Sequence, residues 1–139
     1  MKITKEEIAS YVPQRPPFIM VDNLISATKD KFVTDFEILP NNIFLEDGIL
    51  REFALIENIG QSSYVGLVLT NFDSGSKPKD GFLGGISHLF LYDLPKVHDS
   101  IRTEITLLNR IDNMFLLKGE NYLKDKKLLE CEIKLVATV

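Results

Sequence analysis

The hydrophobic pattern changes character twice along the chain. From Phe32 to Ile38 apolar and polar positions alternate, with Phe32, Thr34, Phe36 and Ile38 on one face and Val33, Asp35 and Glu37 on the other. A period of two is the signature of a half-buried strand. Before it, Phe18 to Val21 and Leu24-Ile25 also read as a strand, with Asp22-Asn23 as a bulge and a turn at Lys29-Asp30 linking the two. From Gly48 to Leu69 the pattern becomes apolar on most sides, as expected of a long helix buried against other structure. Beyond the polar stretch Asp73 to Asp80, four more segments read as strands: Phe82 to Asp93, Ser100 to Asn109, Met114 to Leu123 and Leu128 to Val139. Turn residues at Ile111 to Asn113 and Lys124 to Lys127 separate the last three into a meander.

Punctuation residues refine these elements. Thr4 and Glu7 stand in the Ser/Thr-x-x-Glu spacing of a capping box, predicting a short helix that ends before Pro13. Pro13, Pro16 and Pro17 then impose an extended passage. Gly60 and Gly66 each cost about 1 kcal/mol of helix propensity relative to Ala, which implies that another backbone packs close to the helix there. Gly84-Gly85 permits a bend in the strand that follows. One long helix and about six antiparallel strands make a single α+β domain over residues 1–139.

Composition narrows the function classes. The chain has 139 residues, 45% of them hydrophobic, and a net charge of −4. That suits one ordinary globular core and argues against nucleic-acid recognition, which needs a basic face. No apolar run approaches the ~20 residues of a membrane span, so no membrane insertion is expected. The first seven residues carry no apolar core of a signal peptide and Cys131 is the sole cysteine, from which a reducing, cytoplasmic location is expected. Cys131 alternates with Ile133 and Leu135 and reads as a small core hydrophobe. Two scattered histidines and one cysteine offer no ligand spacing, so neither a metal nor another cofactor is expected.

The candidate chemistry lies within the apolar helical run, where Glu57 stands four residues before Gln61. A carboxylate in apolar surroundings must find a partner, neutralise, or serve a site. Either Glu57 occupies a wetter stripe of the helix, bonded to Gln61, or the pair belongs to a site in which Gln61 orients the acid. His88 is an alternative acid-base group or a satisfied strand histidine. His98, beside Lys96 and Asp99, reads as a solvated loop residue, while Arg15, Asp22 and Arg51 read as loop-pairing charges.

Two segments carry a family resemblance. The run Tyr11-Val-Pro-Gln-Arg-Pro-Pro-Phe-Ile-Met-Val-Asp-Asn-Leu24 resembles the opening motif of the FabZ-type 3-hydroxyacyl-acyl-carrier-protein dehydratases, with Gln14 where that family has His. Leu55-Ile-Glu-Asn-Ile-Gly-Gln61 resembles the family's Glu-Ala-x-Ala-Gln helix, and Gly81 to Ile86 its following strand. The resemblance implies a hotdog fold, an antiparallel sheet wrapped around one central helix, and assigns the catalytic carboxylate to Glu57. The family's second catalytic group is a His about fourteen residues upstream, and here Asn42 to Arg51 contains none. The form of that region, Phe44-Leu45 with Gly48 and Leu50, followed by the Ile56-Glu57-x-x-x-Gln61 helix, is closer to the dehydratase-like subunits of aryl polyene pigment synthesis. It implies an acyl thioester substrate on acyl carrier protein or coenzyme A, and a homodimer or a heterodimer with another hotdog protein.

Dehydration needs a base for the C2 proton, an acid for the departing 3-hydroxyl and a dipole for the enolate oxygen. Glu57 supplies one of the first two, and an apolar tunnel would favour its proton-donating form. Amides from Gly48 to Glu52, at the expected helix start, would polarise the thioester carbonyl. Gly48, Leu50, Phe53, Gly84 and Gly85 are the expected substrate-lining positions. A hotdog thioesterase, in which Glu57 activates water, and a non-catalytic acyl-binding subunit are the alternatives.

Overall fold

In the computed structural model, which describes residues 2–138, α2 (Glu52–Thr70) lies in the concave face of a curled antiparallel sheet. The other elements in chain order are α1 (Lys5–Ile8), β1 (Asn23–Ala27), β2 (Lys31–Glu37), a small hairpin of β3 (Leu45–Glu46) and β4 (Ile49–Leu50), β5 (Asp80–Leu91), β6 (Ser100–Ile111), β7 (Met114–Leu123) and β8 (Lys126–Thr138). The large sheet runs β1-β2-β6-β7-β8-β5. This is the hotdog fold.

Period-two alternation builds the core. Phe32, Thr34 and Phe36 on β2, Ile101, Thr103 and Ile105 on β6, Phe115, Leu117 and Asn121 on β7, and Leu129, Cys131, Ile133, Leu135 and Ala137 on β8 are all buried. The antiparallel register aligns them on one face, toward α2. Two glycines set how closely the helix approaches. A Cβ on Gly66 would stand 2.2 Å from the ring of Phe32, and one on Gly119 would stand 2.4 Å from Cγ2 of Ile59. What packs against Gly66 is a side chain, not the expected backbone. A Cβ on Gly60 would have its nearest neighbours on Leu83, at 3.7 Å and beyond.

Burial also fixes the chemistry of Cys131, whose thiol is pushed up to about 11 by desolvation. The unfolded thiol ionises first, so this group's contribution to stability is present below the ordinary thiol range and is lost as pH rises toward the folded value. At pH 8 the folded protein should resist iodoacetamide while the urea-unfolded chain is alkylated, which mass spectrometry distinguishes.

Several boundaries differ from the sequence expectation. The helix begins at Glu52, because Asp47 and Gly48 both take positive φ (53° and 77°) in a two-residue turn joining β3 to β4. Phe18 to Val21 is not strand, and the irregularity in β1 falls between Leu24 and Ser26 instead of at Asp22-Asn23. The capping box at Thr4 and Glu7 does form, with Glu7 Oε1 accepting from the Thr4 N–H at 3.3 Å and from its hydroxyl at 2.8 Å. Arg15 donates to the Ala9 and Val12 carbonyls, Arg51 pairs with Glu52, and Asp22 accepts the Glu37 N–H at 2.8 Å with Lys5 3.8 Å away.

β5 stands apart. It pairs only with β8, and Phe82, Leu83, Ile86, Leu89, Phe90 and Leu91 are all exposed. Its register slips at Gly84 and again between Ser87 and Phe90. An unpaired edge that is apolar on both faces is open to another strand and another core.

Candidate functional site

Helical spacing places four residues of α2 on one stripe: Glu57, Gly60, Gln61 and Tyr64, at i, i+3, i+4 and i+7. Together with Pro13, Gln14, Gly81, Phe82, Leu83 and Leu135 they border a pocket of about 300 Å³. Glu57 is half-buried there. Among the described residues its carboxylate takes one hydrogen bond, to Oε2 from Gln61 Nε2 at 3.3 Å.

Gln61 is held at both ends of its amide. Its oxygen accepts the Met20 N–H at 2.7 Å, and its nitrogen donates to the Phe18 carbonyl at 2.9 Å as well as to Glu57. These bonds explain why Phe18 to Val21 leaves the sheet: its backbone is satisfied by side chains of α2 instead of by a ladder. They also fix which way the amide points, so Glu57 always faces a donor. Replacing Gln61 with Leu strands the Met20 N–H and the Phe18 carbonyl at ~1–3 kcal/mol each. A melting temperature lowered by several degrees is the expected result in a thermal denaturation scan.

The remaining expected site residues lie elsewhere. His88 takes φ 51° in the second irregularity of β5. Its Nδ1 is 3.4 Å from Glu132, on the face of the sheet opposite α2. It does not border the Glu57 pocket. Leu50 is fully buried in the core, and Gly48 sits in the β3–β4 turn near Val97. Phe53 is half exposed and tilts on Phe44, ring centroids 5.2 Å apart. Gly84 packs on Val136 and Lys134, while Gly85 has open space. The amides expected to polarise a carbonyl are partly spent, because the Leu50 N–H donates to Pro95 and the Arg51 N–H to Phe44. The helix now begins too late to free them. His98 is an exposed loop residue, as expected.

Spacing from Glu57 would have found Gly60 and Tyr64; Pro13, Gln14 and Leu135 reach the pocket only through the tertiary fold. Tyr64 donates to the Pro78 carbonyl at 3.3 Å, and burial, helped by Asp80, pushes its phenol above the ordinary range. Among the described residues Glu57 is the sole carboxylate at the pocket, and no His, Lys or Arg borders it. Among the described residues no cluster of His, Cys, Asp and Glu is arranged to hold a metal, and no helix is long and apolar enough to cross a membrane. A larger groove of about 470 Å³ lies between α1 and the Ile19 to Asp22 segment. Its Asp22 is already engaged by Glu37 and Lys5, and burial holds that carboxyl above its ordinary value. The smaller pocket is the candidate site because its carboxylate is oriented yet largely uncommitted.

A family model described as ApeP dehydratase, of the ApeP-like family, matches residues 6–138. Among solved structures, the dehydratase heterocomplex ApeI:P from Xenorhabdus doucetiae aligns with a TM-score of 0.82 at 16% identity, over 95% of this chain and 91% of that one. A protein of Streptococcus mutans bound to acetyl CoA aligns at 0.68 and 12% identity, over 92% and 96%. A hypothetical thioesterase of Streptococcus pneumoniae with coenzyme A aligns at 0.66 and 12% identity, over 83% and 86%. At these identities the structural likenesses speak for the fold. No curated protein matches the sequence.

Proposed function

The chain belongs to the ApeP-like dehydratase family, and from that premise we propose that it is one subunit of a two-chain dehydratase acting on 3-hydroxyacyl thioesters, with Glu57 as one of its two proton-transfer groups. One observation carries the proposal: among the described residues Glu57 is the sole carboxylate of its pocket, and no His, Lys or Arg borders it. Dehydration breaks the C2–H and C3–O bonds, forms the C2=C3 double bond and releases water. The C2 proton goes to a base, and the departing hydroxyl takes a proton from an acid. Glu57 supplies the proton to the hydroxyl. The base comes from a partner hotdog protein docked on β5, the strand that begins at this pocket with Gly81, Phe82 and Leu83.

Support for the two-chain reading is of two kinds. The apolar, unpaired β5 edge offers the surface a partner would cover. The solved ApeI:P assembly is itself a heterocomplex. A thioester on acyl carrier protein or coenzyme A fits the pocket's short apolar wall, and a neighbour of the same fold holds acetyl CoA.

The test is a reconstitution. The protein alone and the protein mixed with a His-bearing hotdog partner are supplied with a 3-hydroxyacyl thioester, and the 2-enoyl product is followed by mass spectrometry. Product from the mixture and little from the isolated chain is expected. Full turnover by the isolated chain would overturn the two-chain reading. A second reading, thioester hydrolysis with Glu57 activating water, is favoured by the same lone carboxylate, since hydrolysis needs only one such group. Released thiol with free acid, in place of the enoyl product, identifies it.

The interface has its own prediction. Ile86 of β5 lies opposite Ile133 of β8 and is 45% exposed. A charge there faces the partner's apolar surface, so Ile86→Glu should convert the assembled species to a 15.8 kDa monomer by light scattering, with the far-UV circular dichroism unchanged.

A further inference from the structure

We infer that Asn58, with Thr103 and Asn121 behind it, is a positioning residue for Glu57 that acts through the backbone of Met20 and Gln61. This rests on the reading of Glu57 as a proton-transfer group and adds what holds it in place. Asn58 is buried and does not border the Glu57 pocket, so it touches no substrate there. Its Nδ2 donates to the Met20 carbonyl at 2.6 Å. The same residue's N–H donates to Gln61, which in turn donates to Glu57. Met20 is thus gripped at both its carbonyl and its N–H by side chains three residues apart on α2.

The far end of Asn58 is fixed to the sheet. Its Oδ1 accepts from the Thr103 hydroxyl at 2.5 Å and from Asn121 Nδ2 at 3.1 Å, and Asn121 Nδ2 also donates to Thr103 Oγ1 at 2.9 Å. Two donors on the oxygen and a carbonyl on the nitrogen allow Asn58 only one amide orientation. All three side chains are buried, where a lost bond is not replaced by water. A path of hydrogen bonds therefore runs from Thr103 on β6 and Asn121 on β7, through Asn58 and the backbone of Met20, to Gln61 and the Glu57 carboxylate. Its effect is to hold Gln61, and with it the acid, in one place while substrate enters and product leaves.

A displaced proton donor costs rate steeply while leaving substrate binding nearly intact. In the reconstituted pair, Asn58→Ala should lower kcat by about tenfold with KM unchanged. Gln61→Ala should lower kcat as well, and the double variant should be no worse than the poorer single one, because both interrupt the same path. Thr103 supplies a milder pair of variants: Thr103→Val, isosteric but without the donor, should lose kcat, and Thr103→Ser, which keeps the hydroxyl, should recover it. Losses of Asn58 and Gln61 that multiply, or a Thr103→Val enzyme of full kcat with only a lower melting temperature, would overturn the positioning role and leave a purely structural network. Should Asn58→Ala fail to fold, the Thr103 pair decides alone. A wild-type pair that forms no enoyl product overturns the dehydratase reading itself, and this role with it.

Discussion

Changing Glu57 to Gln in the assembled pair is expected to reduce enoyl formation by about 10²- to 10⁴-fold, the range over which a single general acid or base acts. The substitution is nearly isosteric. Gln61 still finds an oxygen to donate to at the 3.3 Å position, so the helix and the Phe18 to Met20 segment should keep their places. What is lost is the exchangeable carboxyl proton. On the two-chain reading assembly rests on the apolar edge of β5 and not on Glu57, so gel filtration of the mixture should be unchanged. Equal turnover by the variant would make Glu57 a structural residue and the chain a scaffold for its partner.

The second large effect concerns two glycines of one helix that should respond with opposite sign. A methyl on Gly66 would overlap the ring of fully buried Phe32 at 2.2 Å. Phe32 is locked between strands and cannot retreat, and overpacking of this kind typically costs ~1–3 kcal/mol, set against the ~1 kcal/mol that Ala gains in propensity. At 2.2 Å the overlap belongs at or beyond the upper end, so Gly66→Ala should be clearly destabilised in urea. At Gly60 the nearest atoms, on Leu83, stand at 3.7 Å or more. Gly60→Ala should therefore stabilise, by up to ~1 kcal/mol. Yet Gly60 borders the Glu57 pocket, so the same variant should turn over more slowly. Urea midpoints and initial rates on both variants check the pair.

How far the sequence disclosed this molecule depends on where each residue's partners lie. β2, β6, β7 and β8 were readable because one face of each is buried and the other wet, which writes alternation into the chain. The start of α2 was not, because Ile49 and Leu50 continue the apolar run seamlessly, and the local mark of the hairpin is confined to the Asp47-Gly48 pair. Expectations placed on Gly48 and Leu50 moved with that boundary. Phe18 to Val21 looks like a strand by composition, and only Asn58 and Gln61, some forty residues on, make it something else. Glu57 and Gln61 stood out because an acid and an amide one turn apart are anomalous in greasy surroundings. Their pocket-mates Pro13, Gln14 and Leu135 carry no local mark.

The doubly apolar β5 has a consequence for the life of the newly made chain. As the ribosome releases this polypeptide, a strand bearing Phe82, Ile86, Leu89, Phe90 and Leu91 emerges with no mate for its outer edge. Such an edge recruits whatever strand arrives first, including another copy of itself. On the two-chain reading, production without a second chain should therefore lower the yield of soluble protein through self-pairing, and synthesis of both chains from one message should raise it. On the same reading, supply of the two proteins in matched amounts, at the same time and place, governs the yield of soluble protein as well as catalysis.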